Sequence, residues 1–123
     1  MDHAILVVDD DPAIRTLVTR VLTRSGYQVR EAEDGVKALK AVASRPPALV
    51  LSDIHMPYLD GCDLAQRLVL RPEPIPCILM SGTDEDPHIL GVPFLAKPFT
   101  LASLLDLVTH TMVTASGADA LIA

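Results

Sequence analysis

Apolar positions alternate between short continuous runs and helical stripes along the whole chain. Ala4-Ile5-Leu6-Val7-Val8, Leu49-Val50-Leu51, Cys77-Ile78-Leu79-Met80 and Pro93-Phe94-Leu95-Ala96 are unbroken runs, too short for helices and suited to strands covered on both faces. A further strand is expected around Gln28 to Glu31. Between these runs the period changes. Ile14, Leu17, Val18, Val21 and Leu22 form an i, i+3, i+4, i+7, i+8 stripe that opens at Asp11-Pro12 and closes at Gly26. A second helix opens at Asp34-Gly35, turns Val36, Leu39, Val42 and Ala43 inward, and stops at Pro46-Pro47. A third opens at Asp60-Gly61 with Leu64, Ala65 and Leu68 inward, and the cluster from Pro72 to Pro76 ends it. Thr100 caps a last helix with Leu101, Leu104, Leu105 and Val108 on one face. From Val113 onward the residues are small and weakly patterned, so 1–112 is expected to be the domain and 113–123 a loose tail.

Strands alternating with helices at this spacing imply an α/β fold, a doubly wound parallel sheet of five strands. Right-handed crossovers then bring every strand's carboxyl end to the same edge, where open α/β sheets bind ligands. Polar residues gather there: Asp9, Asp10 and Asp11 after the first strand, Asp53 after the third, Ser81 after the fourth and Lys97 after the fifth. Converging carboxylates repel one another and raise one another's pKa unless a cation sits among them. Magnesium suits that set best, being a hard ion that takes one or two carboxylates together with phosphate oxygens. A lysine and a hydroxyl opposite could meet the remaining oxygens of a phosphoryl group, and an aspartate can itself be the nucleophile. Singly, each residue has a plainer role: Asp11 and Asp60 as helix caps, Ser81 as a turn former, Lys97 as a solvated lysine, His55 as a loop histidine.

The order of these motifs resembles the receiver domain of two-component response regulators over residues 4 to 110. Val-Val-Asp-Asp, an aspartate followed by x-x-Met-Pro, Asp-Gly, a serine ending the fourth strand and Lys-Pro-Phe ending the fifth occur in sequence. The resemblance implies a flavodoxin-like sheet of order 2-1-3-4-5 and a cis peptide before Pro98. It implies Asp53 as phosphoacceptor, and Asp9, Asp10, Asp53 and the backbone carbonyl of His55 as Mg2+ ligands. Lys97 would pair with the phosphoryl group, Ser81 and Phe94 would form the switch, and His55 and Thr83 would tune dephosphorylation. The implied partners are a histidine kinase or phosphotransfer protein and a downstream protein, with a second copy of the chain as a further candidate. The domain would be a signalling phosphoacceptor and not an enzyme acting on other substrates.

Composition narrows the alternatives. A net charge of −6 disfavours nucleic acid and anionic membrane as partners of this domain. No apolar run approaches the ~20 residues needed to span a bilayer, and the amino terminus lacks the order of a signal peptide, so a cytoplasmic location is expected. Cys62 and Cys77 lack metal-ligand spacing and are expected to be free thiols. A competing reading is a small phosphohydrolase of the haloacid dehalogenase type, with Asp9-x-Asp11 as its motif. That motif expects Thr or Val where Ala13 stands and a later acidic pair where Ser81-Gly82 stand. A receiver-like docking module without phosphorylation is the third reading.

One departure from the family is expected to matter. Ser81 and Phe94 are 13 positions apart, several fewer than usual, so the fourth helix of the family should be short or missing. A partly uncovered sheet patch near Ile78, Met80 and Leu95 would follow, and the family's usual dimer face would be altered.

Overall fold

The computed structural model describes residues 3–82, 86–89 and 91–115. Strand β1 (Ile5–Val8) leads to helix α1 (Pro12–Arg24), β2 (Val29–Ala32) to α2 (Gly35–Ser44), and β3 (Leu49–Asp53) to α3 (Gly61–Val69). Strands β4 (Cys77–Ser81) and β5 (Phe94–Ala96) precede α4 (Leu101–Ala115). All strand pairs are parallel and the order is β2-β1-β3-β4-β5, the order that the resemblance implied.

The caps form as the sequence indicates. Asp11 Oδ1 accepts from Ala13 N at 2.9 Å, Asp34 Oδ1 from Lys37 N at 2.8 Å, Asp60 Oδ1 from Asp63 N at 2.8 Å, and Thr100 Oγ1 from Ser103 N at 3.0 Å. Gly26, at φ +97°, follows α1 in the left-handed region that glycine tolerates. The peptide between Lys97 and Pro98 is cis.

Two apolar layers sandwich the sheet. On one face α1 and α4 bring Val18, Leu22, Leu104 and Val108 against Ile5, Val7, Leu51, Ile78 and Met80. On the other, α2 and α3 bring Ala38, Val42, Leu64, Ala65 and Leu68 against Leu6, Val8, Val50 and Leu79. Burying these side chains away from water is the main force that holds the layers together.

Several inward positions differ from the expected stripes. In α2 the buried residues are Gly35, Ala38 and Val42, while Val36 is exposed, because the start of the helix packs close enough to Leu59 to admit only glycine. Leu17 and Leu101 are 55% and 60% exposed, each at the rim of its stripe. Helix α4 continues to Ala115, so Val113 to Ala115, expected to be loose, form its last turn, with Thr111 buried beneath them.

Among the described residues no helix lies between β4 and β5, in keeping with the short spacing. The expected uncovered patch is absent: Ile78 and Met80 are fully buried and Leu95 is 8% exposed. Side chains alternate along a strand, so Ile78 and Met80 face α1 and α4, and it is Leu79 that faces the connection. Val92 and Ile89 pack in the same layer as Leu79, with the half-buried Phe94 beside them, and together with α3 they leave Leu79 fully buried although no helix lies between β4 and β5 among the described residues.

Candidate functional site

Strand register builds the site. Val8 pairs with Ser52, so the next residues, Asp9 and Asp53, leave neighbouring strands side by side. Asp53 pairs with Met80 and Ser81 with Ala96, which sets Ser81 and then Lys97 one step further along the same edge. The backbone N–H of Lys97 donates to the Ser81 carbonyl at 2.8 Å. Carboxylate oxygens of Asp9, Asp10 and Asp53 lie within 4.8 Å of one another. Asp9 and Asp53 are buried and Asp10 is exposed. Lys97 Nζ donates to Asp53 Oδ1 at 2.9 Å and to Asp9 Oδ2 at 3.2 Å, bridging both acids.

Burial pushes the Asp53 carboxyl above its ordinary value; the Lys97 hydrogen bond and charge oppose this, and the Asp9 and Asp10 charges add to the rise. For Lys97 burial acts downward, yet its hydrogen bond and charge interaction with Asp53, with Asp9 adding to them, raise it overall. The two directions agree physically: the ammonium faces two carboxylates, whereas Asp53 faces one ammonium, two like charges and a dry strand end. The surplus of negative charge and the all-oxygen donor set fit a hard divalent cation.

The loop after β3 is held by close backbone contact. A Cβ on Gly61 would lie 2.3 Å from the Asp53 carbonyl oxygen and 2.9 Å from Ile54 Cα, so α3 starts directly on the strand end that carries Asp53. Gly61 N donates to the Ile54 carbonyl at 2.8 Å. Between them His55 is exposed, and Tyr58, 86% exposed, sits at φ 72° in the left-handed region. Ser81 is fully buried at the end of β4. Thr83 lies outside the described residues. Asp11, at the helix cap, donates its own N–H to Asp9 Oδ1 at 3.0 Å and is not a member of the acid trio.

Residues 5–109 match the response regulator receiver domain family. The chain belongs to that family. Response regulator MprA of Mycobacterium ulcerans is 41% identical over 112 residues, covering 85% of this chain and 48% of that protein. The chain therefore spans about half the length of the curated relatives that it matches. The receiver domain of NtrX from Brucella abortus superposes with a TM-score of 0.81 at 34% identity, covering 89% of this chain and 98% of that one. The signal receiver domain of a signal transduction histidine kinase from Syntrophus aciditrophicus gives 0.83 at 28% identity, covering 91% of each. The protein is thus a receiver domain of the two-component type, a signalling class, with the flavodoxin-like fold.

Sequence reasoning passed over Arg15, Glu31 and the close contact at Gly61. Arg15 Nη1 donates to the Asp9 carbonyl at 2.7 Å, and its Nε to Glu31 Oε1 at 3.2 Å. An arginine one turn after an acidic run is a weak signal, since most such residues are solvated. Cys62 and Cys77 are free thiols, and burial pushes Cys77 up to about 12, which keeps it protonated and unreactive. Among the described residues no helix is long and apolar enough to cross a membrane.

Proposed function

We propose that the domain is a magnesium-dependent phosphoacceptor that takes a phosphoryl group from a phosphohistidine of a histidine kinase or phosphotransfer protein onto Asp53. The observation that carries this reading is the meeting of three carboxylates with Lys97 Nζ bridging two of them. A carboxylate oxygen of Asp53 attacks phosphorus and the P–N bond breaks. Its electron pair leaves with the imidazole, which takes up a proton. Asp9, Asp10, Asp53 and the His55 carbonyl would hold Mg2+, which when bound neutralises charge on the phosphoryl oxygens. Lys97 gives up part of its contact with Asp53 and pairs with a phosphoryl oxygen, while the Ser81 hydroxyl takes another. Ser81 ends β4 and Lys97 directly follows β5, so the new contacts pull on the ends of both strands, and β5 carries Phe94. Water attack on phosphorus, tuned by His55 and Thr83, returns the carboxylate and inorganic phosphate.

The output is a change in protein contacts with a downstream protein or a second copy of the chain, in the cytoplasm. Nucleic acid and membrane are not partners of this domain, whose charge is −6. Intact mass after incubation with acetyl phosphate and Mg2+ tests the proposal. Native protein should gain one phosphoryl group, and Asp53→Asn or removal of the metal by chelation should abolish the gain. If Asp53→Asn still labels stoichiometrically and Asp9→Asn does not, the nucleophile is Asp9 and the reading is wrong.

A further inference from the structure

The guanidinium of Arg15 reaches back from the first turn of α1 onto the strand end that carries the acids. One planar fork spans two strands, with Nη1 on the Asp9 carbonyl at the end of β1 and Nε on Glu31 in β2. The Arg15 side chain is 19% exposed, although Glu31 is 42% exposed. Every other polar atom of Asp9 also has a partner. Its N–H donates to the Ala32 carbonyl at 3.2 Å, Oδ1 accepts from Asp11 N, and Oδ2 accepts from Lys97. The carbonyl that Arg15 holds belongs to the peptide joining Asp9 to Asp10. Asp10 is exposed, so the direction of its carboxylate depends on how that peptide is turned.

We propose that Arg15 is a positioning residue for the divalent-cation site. By tying the Asp9–Asp10 peptide to β2, it sets the distance of the Asp10 carboxylate from those of Asp9 and Asp53. The inference rests on the receiver reading and adds a residue to it. Charge alone makes the opposite prediction. Removing a cation near three carboxylates should strengthen their attraction for Mg2+, whereas removing a positioning contact should weaken it. Cation choice gives a second discriminator. Mg2+ demands a near-ideal octahedron and Ca2+ tolerates irregular sites, so a turn that has lost its tie should lose Mg2+ affinity more than Ca2+ affinity.

Calorimetric titration of the full chain with magnesium chloride and with calcium chloride tests this, using native protein, Arg15→Gln, Arg15→Lys and Glu31→Gln, with urea unfolding alongside. In Arg15→Gln the Kd for Mg2+ should rise about 10–100-fold, the usual effect of losing an outer partner of a ligand, and the Kd for Ca2+ should rise less. Arg15→Lys, whose single ammonium cannot replace a two-pronged fork, should fall between native and Arg15→Gln. Glu31→Gln should show a smaller loss of the same sign. Unchanged or tighter Mg2+ binding in Arg15→Gln overturns the inference, as does an equal loss for both ions together with a lowered urea midpoint. If Arg15→Gln folds poorly, Arg15→Lys and Glu31→Gln carry the comparison, and native Mg2+ affinity in both overturns it. A native chain that binds no Mg2+ refutes the receiver reading itself, a result separable from failure of the Arg15 variants alone.

Discussion

Replacing Gly61 with alanine should damage both the fold and the site, against the rule that alanine favours helices. As the first residue of α3, Gly61 would gain at most ~1 kcal/mol from the better helix former. The added Cβ, however, would stand 2.3 Å from the Asp53 carbonyl oxygen, 2.9 Å from Ile54 Cα and 3.0 Å from the Asp53 carbonyl carbon. All three are backbone atoms at the end of a buried central strand, so no flexible side chain can yield. Relief to 3.4 Å, where ordinary contact begins, requires a separation of about 1.1 Å from that oxygen. Overpacking of this kind costs ~1–3 kcal/mol, occasionally more, and outweighs the gain in propensity. For a domain of this size each kcal/mol is worth roughly 3–5 °C, so a net cost of up to ~2 kcal/mol should lower Tm by up to about 10 °C. The same displacement moves the Asp53 carboxylate relative to Asp9 and Lys97, so the rate of labelling by acetyl phosphate should fall too. Gly82→Ala is the control: its Cβ meets nothing within 4 Å, and it should be neutral or slightly stabilising. Thermal melts and intact-mass time courses of both variants decide the matter. A Gly61→Ala protein as stable as native that labels at the native rate would refute the steric argument.

Other outcomes follow from the electrostatics and the backbone. Asp53 has a raised pKa, so its ionisation opposes folding; the cost is absent below the ordinary value of 3.8 and complete once pH has risen through the folded value. Asp53→Asn should therefore be more stable than native in metal-free buffer at neutral pH, with the difference closing as pH falls below 3.8; a less stable Asn variant at pH 7 contradicts this. Lys97→Ala should retain some phosphorylation while losing the accompanying change in tyrosine fluorescence, and equal spectral changes in the two proteins would count against the proposed role of Lys97. Tyr58→Asn relieves a left-handed aromatic residue that is 86% exposed, and should raise stability by about 1 kcal/mol in urea with an unchanged m-value.

Much of this was legible because buried parallel strands are continuous apolar runs, and because four helix starts carry cap residues that act locally. The convergence of Asp9, Asp53, Ser81 and Lys97 follows from strand order and parallel direction alone. What was illegible depended on tertiary distance. Val36 outweighs Ala38 on any hydrophobic scale, yet α2 approaches the sheet through Gly35 and Ala38 since Leu59 crowds its first turn. The supposed patch at Ile78 and Met80 was a matter of facing: period two sends them to α4, and the residues that needed a cover were Leu79 and Phe94. Arg15 looks like any exposed helical arginine until β2 is placed beside β1.

The bridge made by Lys97 has a consequence for the order of events. Three carboxylates and one ammonium leave the pocket two charges negative. A phosphodonor arriving first meets that repulsion, while a divalent cation arriving first brings the sum to zero and opens the way. If Asp53 is the phosphoacceptor, as proposed, a phosphoryl dianion in place of its single charge would bring the sum to minus one, and the ammonium of Lys97 already lies 2.9 Å from Asp53 to meet it. On the proposed reading, the order of metal arrival, phosphoryl arrival and lysine movement would follow from a count of charges, before any rate is measured.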